Sequence, residues 1–103
     1  MIHITSRTYW FKVVDFLQHS WALIEPIAGV SSVRIYFIND ASGVYDELVF
    51  DSKVATVDGL ERNGFSLFKS DATWQHLRKP KAPFRRRNHP GGPPYSSGRY
   101  WSE

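Results

Sequence analysis

The sequence predicts a two-layer α+β domain with a basic Pro/Gly-rich C-terminal tail. In it, an N-terminal amphipathic helix and a second short helix pack on a small antiparallel sheet. Three observations predict it: a helical apolar stripe near the start, a period-2 hairpin in the middle, and an abrupt change of composition after Lys79. The chain has 103 residues, 42% of them hydrophobic and 16% aromatic. That suits one modest core rather than two. The expected division is a single domain over 1–79 and a flexible basic aromatic tail over 80–103.

From Thr8 to Ile24, apolar residues fall at Trp10, Val13, Val14, Leu17, Trp21 and Ile24. Steps of three and four make one helical stripe. Ser6 or Thr8 is placed to cap its start, and Pro26 discourages helical geometry at Glu25. Phe11 and Phe16 lie off the stripe, which leaves a homodimer contact open. The competing reading makes "IHIT" and "ALIEPI" strands, because Trp, Phe and Val also favour sheets.

Residues 33–50, "VRIYFINDASGVYDELVF", alternate in period two on either side of "NDASG". They read as a β-hairpin, with Asn39 and Asp40 supplying turn hydrogen bonds and Gly43 a positive φ. Ser52 then caps a helix through Arg62, with Val54, Val57 and Leu60 facing the sheet and "NG" at 63 and 64 ending it. "FSLFK" returns as a strand with Phe65 and Leu67 on one side. "SDATWQHLRKP" is expected to form a helical turn that docks Trp74 and Leu77 before Pro80.

Beyond Lys79, the segment holds five of the six prolines and three of the seven glycines, with no period. Such a stretch buries too little surface alone to offset its ordering entropy. Charge is asymmetric as well. Up to Thr73, six basic residues face nine acidic ones, a net −3; from Trp74 onward, seven basic residues face only Glu103, a net +6. An acidic body with a basic end points to an interaction tail.

Enzymatic signatures are missing. The chain has no cysteine, which excludes disulfides and thiolate sites and is compatible with a reducing compartment. No secretory signal and no apolar run of about eighteen residues occurs, so a soluble, cytoplasmic protein with no membrane partner is expected. His3, His19, His76 and His89 show no metal-motif spacing and read as structural or solvated. Asp46 and Glu47 point to opposite faces of a strand, a poor acid/base pair, and Asp51 follows as part of a solvated polar face. "PGGPP" does not join a strand to a helix, so it is no phosphate loop. Asp15 and His19 would meet only through helical i, i+4 spacing, the one route to a hydrolase.

Neither a cofactor nor a metal nor an enzymatic activity is expected. The coherent chemistry lies in the tail. Lys79, Lys81, Arg85, Arg86, Arg87 and Arg99 offer cations for phosphate, and Phe84, Tyr95, Tyr100 and Trp101 offer faces for base stacking. The expected function is a small non-enzymatic binding protein engaging RNA or DNA through that tail. The alternative is a protein–protein interaction or inhibitor module, with the tail aromatics docking on a partner or on the protein's own sheet. The middle strand lacks the base-and-aromatic run of an RNA-recognition sheet.

Overall fold

A computed structural model describes residues 2–15, 18–70 and 79–86. The elements are β1 (Trp10–Asp15), β2 (Gln18–Pro26), β3 (Val33–Ile38), β4 (Gly43–Phe50), α1 (Lys53–Arg62), β5 (Ser66–Leu67) and β6 (Arg85–Arg86), with a 3-10 turn at Phe68–Ser70. The strands form one six-stranded sheet in the order β5-β1-β2-β3-β4-β6. Neighbours are antiparallel except β4 and β6, which run parallel, so the sheet is mixed.

The fold class expected from the sequence is therefore corrected. No N-terminal amphipathic helix exists; the stretch from Thr8 to Ile24 holds β1 and β2, paired with Trp10 opposite Ala22 and Phe11 opposite Trp21. The cause is burial on both faces. Phe11, Trp21 and Leu23 enter one apolar cluster, while Trp10 and Ala22 enter the other. A strand covered on both sides carries apolar residues at both parities, and this erases alternation. The three-and-four spacing is a by-product of that density. Pro26, expected to stop a helix, ends β2 instead, opposite Val33. The missing N–H is tolerated because the pairing of β1 with β2 stops at Ala22, so at Pro26 β2 is an edge on that side.

The hairpin β3–β4 stands where period two placed it, from Val33 opposite Phe50 to Ile38 opposite Val44. A register shift leaves Tyr45 as the extra residue of a β-bulge. The turn closes through the Asn39 side chain, which accepts from Ala41 N at 2.9 Å and Gly43 N at 2.8 Å. The positive φ falls on Ser42, at 67°, and not on Gly43 as expected.

Helix α1 begins where Ser52 Oγ accepts from Ala55 N at 3.1 Å. It ends at Asn63 and Gly64, the latter at φ +90°. Thr56 and Leu60 are buried against the sheet, and Val57, partly buried, packs on the same cluster as expected. Val54, expected to join them, is 80% exposed, because its position turns it away from Thr56 and Leu60. Phe65 and Leu67 both pack on the helix side.

The opposite face of the sheet presents Phe11, Trp21, Leu23, Tyr36 and Ile38, covered by Ile4, Tyr9, Phe68 and Phe84. Its cover is made of two straps, the N-terminal run 2–9 and the run 79–84. They are joined where Ile2 N donates to Phe84 O at 2.8 Å. Tyr9 donates its hydroxyl to Pro80 O. Lys81 N donates to Ser42 Oγ at 3.0 Å and Arg85 N to Ser42 O at 3.3 Å. Residues 80–86, placed in the tail by composition, are thus packed on the body: Pro80 is buried and Phe84 is 1% exposed. The expected docking of Trp74 and Leu77, and the expected behaviour of 87–103, lie outside the described residues.

Candidate functional site

The straps set the charged groups. Lys79, Lys81, Arg85 and Arg86 are all exposed along the run that Pro80 and Phe84 anchor. Lys79 Nζ lies over the Tyr9 and Phe68 rings at 5.4 and 5.9 Å from their centroids. Arg7, on the other strap, stands over the Phe84 ring at 5.3 Å and also donates to Ser6 O at 2.7 Å. Ring faces attract cations without neutralising them, so these charges stay available to an outside anion. Arg86 alone of the four meets a carboxylate among the described residues, Glu47 Oε2 at 3.2 Å. Beneath them, burial pushes the Tyr9 phenol above its ordinary range, against a smaller opposing pull from Arg7.

The sequence-derived site residues divide into three groups. Lys79, Lys81, Arg85 and Arg86 share one edge and strap. Phe84 is corrected: its ring, expected to stack on bases, is in the core, because Ile2, Ile4 and Tyr9 supply apolar partners invisible in its neighbourhood. Arg87, Tyr95, Arg99, Tyr100 and Trp101 lie outside the described residues. Arg7 was missed by sequence reasoning, and its isolation among polar residues gives no signal that would have found it.

The sheet also places the carboxylates Asp46 and Glu47 and the pair His19 and Asp40. Asp46 sits opposite Phe37 on the helix side, while Glu47 sits opposite Tyr36 on the strap side, so the two do not converge. Without an N-terminal helix, the helical route joining Asp15 to His19 is gone. His19 pairs with Asp40 instead, Nδ1 to Oδ1 at 3.2 Å, and Asp40 also accepts from His19 N at 3.0 Å and Trp21 Nε1 at 2.8 Å. Asp40 thereby ties the β3–β4 turn to β2. Among the described residues, no group of three or more His, Asp or Glu could hold a metal ion. None of their helices is long and apolar enough to cross a membrane.

The helix side carries a second feature, an open groove of about 620 Å³ between α1 and the sheet. Trp10, Ile24, Val33 and Leu67 form its floor; Lys53, Val57 and Glu61, one i, i+4, i+8 ridge of α1, form its wall. The reason is geometric. Ten residues of helix span about 15 Å, whereas six strands spread over about 24 Å, so one corner of the sheet stays uncovered. Its volume falls within the range of roughly 300–1,000 Å³ seen for ligand sites. No protein-family model, no curated protein and no solved structure matches this chain.

Proposed function

We propose that the protein is a non-enzymatic binding module for a polyanion, a single-stranded nucleic acid, engaged by the cations of the 79–86 strap together with Arg7 and the arginines that follow. One observation supports this reading above the others. Lys79, Lys81 and Arg85 are exposed with no carboxylate partner among the described residues, on a strap anchored at Pro80 and Phe84. Anchoring reduces the ordering entropy that a free tail would lose on binding. Arg85 and Arg86 can each give a phosphate two parallel hydrogen bonds.

Fluorescence polarisation of a labelled single-stranded RNA against rising salt tests it. Log affinity should fall with log salt by about 0.7 per neutralised phosphate. The paired change Arg85→Ala with Arg86→Ala should weaken binding and flatten that slope while leaving the melting temperature nearly unchanged. Unaltered affinity and slope in this variant would refute the proposal. Salt-insensitive capture of a protein from lysate would instead favour the interaction or inhibitor module.

A further inference from the structure

On the strap side of the sheet, one half-buried cation lacks an acceptor for its innermost donor. Arg34 lies on β3 with its side chain on the face of Tyr36, since Ile35 faces the helix side. Its Nε is shielded from solvent and has no hydrogen-bond partner among the described residues. Its Nη1 donates to Tyr36 Oη at 3.5 Å, the outer limit of a hydrogen bond. That contact, with a smaller contribution from the Glu47 charge, raises the Arg34 pKa above its ordinary range, so the guanidinium stays charged. A buried donor without an acceptor is costly and calls for an explanation.

Two carboxylates stand beside Arg34, and both are engaged elsewhere. Glu25, directly opposite on β2, commits its two oxygens to the N-terminal strap: Oε2 accepts from Thr5 N at 2.9 Å and Ser6 N at 3.2 Å, and Oε1 from Thr5 Oγ1 at 2.6 Å. Glu47 is opposite Tyr36 on β4. It is therefore the diagonal neighbour of Arg34, about 7–8 Å away across the strands and within reach of two long side chains. It accepts from Arg86 Nη2 at 3.2 Å instead. Both members of that pair are open to solvent, 58% for the Arg86 side chain and 36% for that of Glu47. Exposed pairs of this kind are weak and exchange readily. Arg34, Glu47 and Arg86 thus make a row of cation, carboxylate and cation, with one positive charge in excess.

We infer that Glu47 is a latch on Arg86 that turns over to Arg34 when a phosphate of the bound strand takes its place. In the free protein Glu47 occupies Arg86. In the complex it accepts from Nε and one Nη of Arg34, the paired geometry that carboxylates and guanidiniums favour. Arg34 is a positioning residue and touches no nucleic acid. It takes up a negative charge that would otherwise stand beside the phosphate and repel it. The inference rests on the polyanion reading, and it states how Arg86 comes to act together with Lys79, Lys81 and Arg85.

The test is the salt dependence of single-stranded RNA binding by the full chain, read by fluorescence polarisation. Arg34→Met leaves Glu47 to cancel Arg86, so the slope of log affinity against log salt should shrink by about 0.7, one phosphate contact. Adding Glu47→Gln to that variant should restore the parent slope, because Arg86 is then free of its latch. A purely structural role for Arg34 would not give this rescue. Lys53→Met removes an equal charge from an exposed position on the helix side and should leave the slope unchanged. Glu47→Gln alone, which keeps Arg34 and so tests the latch even where Arg34→Met fails to fold, should tighten binding about two- to fivefold at the parent slope. An unchanged slope in Arg34→Met, no gain in Glu47→Gln, or no rescue in the double variant overturns the inference and leaves the polyanion reading standing; the last result would make Arg34 a direct phosphate contact. A parent chain without salt-dependent RNA binding overturns both.

Discussion

Replacing Phe84 with Ala separates a structural strap from a solvated tail. The side chain is 1% exposed and packs in the cluster that holds Ile4, Tyr9 and Trp21. Burying an aromatic ring of about 150–200 Å² at about 25 cal/mol per Å² contributes about 4–5 kcal/mol. Some of that returns as the strap relaxes, so a loss of about 3–5 kcal/mol is expected, the usual range for Phe→Ala in a core. A domain of this size has about 5–15 kcal/mol in all. Urea titration followed by tryptophan fluorescence reads the loss directly, and a thermal melt should drop by roughly 12–24 °C for each 3 kcal/mol. The control is Arg85→Ala with Arg86→Ala, which changes only exposed side chains and should stay within about 0.5 kcal/mol. A Phe84→Ala loss below about 1 kcal/mol, equal to the control, would refute the strap.

Two further changes probe the same frame. Ser52→Ala removes the acceptor for Ala55 N and should cost about 1 kcal/mol, read as a lower urea midpoint with unchanged slope. Tyr9→Phe leaves Pro80 O without its donor and should cost about 1–2 kcal/mol at neutral pH. Because the Tyr9 phenol is raised above 10.0 by burial, the folded protein favours its neutral form. Its contribution is fully present below about pH 10 and is lost as pH rises through the raised folded value. Urea midpoints between about pH 9 and 11 should therefore fall less steeply in Tyr9→Phe than in the parent.

What the sequence disclosed depended on how local the determining contacts are. Strands β3 and β4 pair across a four-residue turn whose Asn39 bonds are written in the turn itself, so the hairpin is legible. Helix α1 is legible for the same reason, since Ser52 sits three residues from the N–H it caps. Strands β1 and β2 are not, because β2 is buried on both faces by partners at Ile35–Ile38 and beyond. With Trp21 and Leu23 facing one way and Ala22 and Ile24 the other, the only period left was a misleading one. The straps are least legible. Phe84 lies in a stretch rich in proline and arginine, and what makes it a core residue is Ile2, eighty-two positions away. The cations at 79, 81, 85 and 86 were found because charge is a property of composition, whereas the groove arises from a mismatch between helix length and sheet width that no residue announces.

The bond between Ile2 and Phe84 has a consequence for biogenesis. Contacts between distant positions are slow to form, because the loop they close must be ordered before any of them stabilises it. On the helix side, β3, β4, α1 and β5 are all synthesised by Leu67, so that half can assemble while the chain is still growing. The other half waits for Phe84. At about 5–20 residues per second, translation leaves an interval of about one to three seconds between Leu67 and Phe84. Throughout it Trp21, Leu23 and Ile38 lack part of their cover, an adhesive surface that a holdase chaperone would recognise. A nascent chain stalled before Phe84 would keep that surface, and its fate would be decided by capture or proteolysis before any ligand was met.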